Sequence, residues 1–208
     1  MNIILDFDYT LFDAALLREA VGKVFLQNGV DRDLFFRTLE ESKKGQVDWK
    51  PFWQLELLKR YGVRTTEKIQ REFERVVGDA HLFLYSDTLP FLEKAKRSHS
   101  LKLLSYGEDA FQQMKIQGCR IGHYFDDIVI TRNLVKDREA KELAGKTKSV
   151  FVEDNPRALE AAKQHHPELV TIRIWRGGGA WKDEPSGRGI DYEAKDLREV
   201  ERLITGIL

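Results

Sequence analysis

Residues 3–12 read Ile3-Ile4-Leu5-Asp6-Phe7-Asp8-Tyr9-Thr10-Leu11-Phe12, an apolar β-type run that delivers two carboxylates at i and i+2. Side chains alternate faces along a strand, so Asp6 and Asp8 emerge on one side while Phe7 points to the other. Two carboxylates at the mouth of a buried strand repel unless a cation or a shared proton offsets the repulsion. A solvated acidic strand end would also fit the pair taken alone. The chemical reading is a nucleophilic carboxylate beside a second one that shuttles a proton.

Outward from this stretch, four more strand candidates are short and apolar or β-branched: Leu101–Ser105, Asp127–Thr131, Ser149–Glu153 and Leu169–Ile174. Near-continuous apolar runs of this kind suit strands buried on both faces of a parallel sheet. Helical segments separate them. Asp87–Arg97 precedes the second strand, Glu108–Gln117 stops at Gly118, and Lys136–Ala144 stops at Gly145, both glycines at the left-handed position past a helix end. Asn155-Pro156 reads as an N-cap and first-turn proline launching a helix through Lys163. Leu197, Val200 and Ile204 mark a last amphipathic helix. Alternation of strand and helix predicts a three-layer α/β sandwich.

One span breaks the rhythm. About ninety residues separate the first two strands, and they hold helical stretches near 14–28, 31–44, 48–61 and 65–77. A single crossover does not need four helices. Residues 14–80 are therefore expected to form an inserted helical domain, with 1–13 and 81–208 forming the core. Arg176–Gly189, with three consecutive glycines, is a loop by composition.

Composition bounds the function. The chain has 208 residues, with Lys+Arg 34 against Asp+Glu 34, so no global field favours nucleic acid or anionic membrane. The single cysteine, Cys119, excludes an intrachain disulfide framework and fits a reducing compartment. The first apolar run is cut by Asp6 and Asp8, too early for a signal peptide or membrane span. The expectation is a cytoplasmic protein, monomer or homodimer, with no nucleic-acid or membrane partner.

In a parallel sheet all strands point their C-terminal ends one way, and ligands bind there. The second strand ends Ser105-Tyr106-Gly107, offering a hydroxyl and backbone N–H groups as an oxyanion cradle. Lys136 follows the third strand, where a cation reaches a bound anion, although Lys141 or Lys146 could take its place. The fourth ends in Glu153-Asp154, a second acidic pair. Hard oxygen ligands of this kind suit Mg²⁺ rather than Zn²⁺. His165-His166 reads as surface.

The order Asp6-x-Asp8-x-Thr10, then Ser105 with Gly107, then Lys136, then Glu153-Asp154, resembles the haloacid dehalogenase (HAD) superfamily over the whole chain. The resemblance implies a Rossmann-like core with a C1-type helical cap, and an Mg²⁺-dependent phosphoryl-transfer site. Asp6 would attack phosphorus and form an aspartyl-phosphate; Asp8 would act as general acid and then base. Ser105, the neighbouring amides of Tyr106 and Gly107, and Lys136 would bind the phosphoryl oxygens. Asp6, the backbone carbonyl of Asp8, and Asp154 would hold the metal, with Glu153 as a further ligand. Tyr106 stands where this family often has asparagine, and Glu153-Asp154 replaces the commoner Asp-Asp, a variation that resembles the β-phosphoglucomutase-like branch.

Asp8 favours phosphatase or phosphomutase over carbon–halogen cleavage, and hydrolysis of a small phosphorylated metabolite is the expected activity. A phosphomutase and a non-enzymatic phosphoacceptor signalling domain are the alternatives. The aromatics of the insertion (Phe25, Phe35, Phe36, Trp49, Phe52, Trp53, Tyr61 and Phe73) are expected to be mostly core. Arg18, Arg37 and Lys43 are candidates for a second charge on the substrate, and opening and closing of the cap is expected to admit it.

Overall fold

The central strands form where the chain is apolar on both faces. The computed structural model describes residues 1–45 and 48–207. Its strands are β1 (Asn2–Leu5), β2 (Ser100–Tyr106), β3 (Asp127–Thr131), β4 (Ser149–Glu153), β5 (Val170–Ile174) and β6 (Tyr192–Ala194). All neighbours pair in parallel, in the order β3-β2-β1-β4-β5-β6. The chain thus runs outward from β1 in one direction through β2 and β3, and in the other through β4 to β6. The crevice at that reversal, between β1 and β4, is where open α/β sheets bind ligands.

The helices are α1 (Ala14–Gln27), α2 (Arg32–Lys43), α3 (Pro51–Arg60), α4 (Thr66–Gly78), α5 (Thr88–Ala95), α6 (Asp109–Cys119), α7 (Asp137–Ala144), α8 (Pro156–His165) and α9 (Leu197–Ile207). The fold is the expected α/β arrangement of a parallel sheet with flanking helices. Among the described residues, no helix is long and apolar enough to cross a membrane.

Contacts divide the chain into two compact units. The first comprises Met1–Ala14, Leu84–Tyr106 and the chain from Ile121 onward, and holds the sheet. On one face Ile4, Leu104 and Phe151 pack with Ala140, Leu143 and Ala144 of α7 and Leu159 and Ala162 of α8. Their alternates Ile3, Leu5, Leu103, Val150 and Val152 are buried as well, so both faces are covered. The α8 N-terminus is capped as expected: Asn155 Oδ1 accepts from Arg157 N at 3.0 Å, with Pro156 in the first turn.

The second unit is Ala15–Phe83 together with Gly107–Arg120, so α6 groups with the inserted helices. Rings interlock within it: Phe73 and Phe111 lie 5.9 Å apart, and Trp49 meets Phe111 edge-on at 5.7 Å. Phe25, Phe35 and Phe73 are buried, whereas Phe36 and Tyr61 are exposed. Gln46 and Val47, inside the inserted span, lie outside the described residues.

Two local features differ from expectation, at Gly118 and at β6. Gly118 does not end its helix; α6 runs to Cys119, and Arg120 takes the left-handed position with φ 59°. A Cβ on Gly118 would stand 2.0 Å from the Val77 carbonyl oxygen, so this glycine serves close helix packing instead. Helix α4, expected near 65–77, runs to Gly78. Strand β6 falls in a stretch without a strand signal, because Tyr192 and Glu193 are exposed at the sheet edge.

Candidate active site at the sheet's switch point

Register places the acidic residues together. Leu5 pairs with Leu103 on one side and Val152 on the other, and Asp6 N donates to the Val152 carbonyl at 2.9 Å. Asp6 therefore leaves β1 beside the end of β4, which carries Glu153 and Asp154. One carboxylate oxygen from each of Asp6, Glu153 and Asp154 lies within 4.8 Å of the others.

Lys136 joins them from the start of α7. Its buried ammonium donates to Asp6 Oδ1, to Glu153 Oε2 at 2.6 Å, and to the Leu104 carbonyl at 3.4 Å. Lys141 and Lys146, the alternatives to it, are exposed. Glu153 Oε1 accepts from Asn155 N at 3.1 Å, which fixes that carboxylate.

The turn after β1 is tightly built. Thr10, Leu11 and Phe12 N–H all donate to the Phe7 carbonyl, and Tyr9 N donates back to the Phe12 carbonyl at 2.7 Å. Phe7 and Phe12 stack at 4.8 Å beneath it. Tyr9 and Lys136 are non-glycine residues with positive φ, 60° and 53°. Such backbone costs about 1–3 kcal/mol and persists where surroundings over-determine it. Among the described residues the other two, Lys44 and Arg120, sit at helix C-termini.

Electrostatics follow from crowding. Burial, reinforced by Glu153 and by the charge of Asp8, pushes the Asp6 carboxyl up to about 7 against the pull of Lys136. Burial likewise raises Asp154 well above the carboxylate range, with Glu153 and Asp6 adding to the effect. Burial disfavours the Lys136 ammonium, but Asp6 and Glu153 outweigh it and hold the lysine pKa above its ordinary value. Three carboxylates against one ammonium leave two negative charges uncompensated when all are ionised. A divalent cation bound by oxygen ligands balances that excess, so the donor set fits Mg²⁺.

Two hydroxyls at this end of the sheet are buried without a hydrogen-bond partner, Ser105 Oγ and Thr10 Oγ1. Orphaned buried hydroxyls are rare and call for a ligand or strain explanation. Tyr106 closes β2 half-buried. Asp8 is half-buried on the turn. Gly107, in the helical unit, has φ 148° with the Gln112 amide packed against it, so a Cβ there would meet Gln112 Nε2 at 2.5 Å. His165 is exposed, 3.2 Å from Asp137 Oδ2. Arg18 and Arg37 are exposed and Lys43 half-buried on the helical unit.

Sequence reasoning missed Arg176. Its guanidinium donates twice to the Thr10 carbonyl, at 3.0 and 3.3 Å, and forms a fork with both oxygens of Asp87 at 2.9 Å. It also lies 4.2 Å over the Tyr85 ring. The available signal was an Arg-Gly-Gly-Gly run directly past a strand end on the ligand side of the sheet.

No protein-family model matches the chain, and no curated protein matches it in sequence. Solved structures do match in shape. A putative haloacid dehalogenase-like hydrolase from Burkholderia xenovorans LB400 superimposes with TM-score 0.79 at 16% identity, over 99% of this chain and 96% of that one. The chain has the haloacid dehalogenase-like fold. The putative HAD hydrolase YfnB of Bacillus subtilis, determined bound to magnesium, shares it with TM-score 0.64 at 15% identity, over 98% and 97% of the two chains. So does a putative β-phosphoglucomutase from Thermotoga maritima, with TM-score 0.65 at 19% identity, over 100% and 99%. A dehalogenase and the L-2-haloacid dehalogenase of Xanthobacter autotrophicus also share the fold. At these identities the likeness is one of fold.

Proposed function

We propose that this chain is a Mg²⁺-dependent phosphatase acting on a small-molecule phosphomonoester. One observation carries the reading: buried Asp6 stands at the switch point against Lys136, with two further carboxylates within reach of one cation. The unpartnered Ser105 and Thr10 hydroxyls support an anionic, oxygen-rich ligand beside it. The magnesium-bound relative of the same fold supports the choice of metal.

Asp6, Asp154, Glu153 and the backbone carbonyl of Asp8 would hold Mg²⁺. When bound, the metal neutralises charge that would otherwise keep a carboxylate nucleophile from a phosphate. Asp6 attacks phosphorus and the ester oxygen leaves with a proton from Asp8; water, deprotonated by Asp8, then releases phosphate from the aspartyl-phosphate. Lys136 and the Ser105 hydroxyl hold the phosphoryl oxygens, with the amides of Tyr106 and Gly107 expected to assist. Lys136 also keeps Asp6 oriented before substrate arrives. The substrate is a small phosphorylated metabolite in the cytoplasm, with no nucleic-acid or membrane partner.

Haloacid dehalogenases share the fold, and Asp8 favours phosphoryl chemistry over theirs. Incubation of the full chain with a generic aryl phosphate and with 2-chloropropionate, each with and without Mg²⁺, tests this. Mg²⁺-dependent phosphate release without halide release is expected. Halide release from the chloroacid, or no turnover of any phosphate ester, would overturn the reading. Phosphate reappearing on a second hydroxyl of a sugar phosphate would move the assignment to a phosphomutase.

A further inference from the structure

We propose that the Arg176–Gly179 segment is a positioning wall that sets the carboxylate of Asp154 for the cation; the inference rests on the metal reading above. Two observations converge. Gly179, with φ 84°, approaches so closely that a Cβ there would stand 3.1 Å from Asp154 Oδ2 and 3.1 Å from Tyr9 Cδ2. Ordinary carbon contacts lie at 3.4–4 Å, so an added methyl must displace one of these neighbours. Gly178 approaches the same ring, a Cβ there standing 3.4 Å from Tyr9 Cδ1 and Cε1.

The backbone that carries the ring is fixed. Tyr9 is held in left-handed backbone by its hydrogen bond to Phe12, inside a turn that Arg176 ties down through the Thr10 carbonyl. Arg176 is itself fixed by Asp87, whose Oδ2 also accepts from Leu197 N at 2.8 Å at the start of α9. The loop that walls Asp154 and the turn that carries Asp8 are thus anchored by one guanidinium. A methyl at 179 therefore presses on the Asp154 carboxylate as well as on the ring, and the carboxylate must give by a few tenths of an ångström. Groups that orient a metal ligand typically matter about 10–100-fold in metal affinity.

Gly177 supplies the control. It has a similar φ, 74°, but a Cβ there meets nothing within 4 Å. Gly177→Ala carries the backbone strain without the contact. Calorimetric titration of Mg²⁺ into the metal-free full chain is expected to give equal affinity for wild type and Gly177→Ala. For Gly179→Ala it is expected to fall at least ~10-fold with an unchanged circular dichroism spectrum. Equal affinity in Gly179→Ala, or equal losses in both glycine variants, would overturn the wall. Should wild type bind no Mg²⁺, the metal site falls and the wall with it. If Gly179→Ala does not fold, Arg176→Lys, which keeps the charge but loses the fork, is read instead. A fall in affinity supports the proposal, and wild-type affinity overturns it.

Discussion

Asp6 sets most of the expectations at the scale of single residues. Asp6→Asn keeps shape and hydrogen bonding but removes the nucleophile, so turnover is expected to vanish while the circular dichroism spectrum stays unchanged. Asp8→Asn is expected to slow turnover by about 10²–10⁴, the usual contribution of a general acid–base group. Titration adds a second test. The Asp6 carboxyl is raised from 3.8 to about 7, so the folded state holds a proton that the unfolded chain has lost. The stability this contributes is full below about 4 and is lost as pH rises to about 7. Asp154, also raised, acts in the same direction, while the raised Lys136 adds no slope until far more alkaline pH. Metal-free protein should therefore show a lower urea midpoint at pH 8 than at pH 5, and Mg²⁺ should narrow that gap. These residues were legible in the sequence because they follow apolar strand runs directly. Arg176 and Gly179 were not, since their partners Thr10, Asp87, Tyr9 and Asp154 are remote in the chain.

Among elements, those buried on both faces were the most readable. Strands β1 to β5 appear near their expected positions because each is a short apolar run, and β6 escaped because two of its three residues are exposed. Helix ends were read from glycines: helices do end at Gly78 and before Gly145, whose φ is 58° though its ψ of −134° lies outside the left-handed helical region, while the reading failed at Gly118. A glycine in sequence does not reveal whether its freedom serves backbone or packing. Substitution separates the two. Gly118→Ala would drive a methyl into the Val77 carbonyl, and overpacking of this kind destabilises by about 1–3 kcal/mol. Gly78→Ala meets nothing within 4 Å in a helical residue and should be neutral or stabilising by up to ~1 kcal/mol. Urea melts of the two variants check the contrast.

Across the whole molecule, the Asp87–Arg176 pair ties the C-terminal helix to the loop after β5 and to the site turn. Both side chains are nearly buried, at 6% and 8% exposure. Removing one partner strands the other, which costs about 3–5 kcal/mol in buried pairs, so Asp87→Ala should lower stability by about that amount. Burial opposes ionisation of Asp87, but Arg176 and the Leu197 amide outweigh it and lower its pKa. The stability it contributes is present above about 4 and is lost as pH falls through the lower folded value. Acid unfolding of Asp87→Asn should accordingly be less steep below pH 4. Helix α6 groups with the inserted helices through Phe111 and Gly118, contacts that no local pattern announces.

The most direct measurement is the site of covalent phosphorylation. The full chain, mixed with an aryl phosphate and Mg²⁺, quenched in acid and trapped with borohydride, would be digested and mapped by mass spectrometry. Reduction of an acyl-phosphate at Asp6, absent in Asp6→Asn, is expected. Phosphate release with no modification at Asp6, or modification at another carboxylate, would contradict the assignment of Asp6 as the nucleophile.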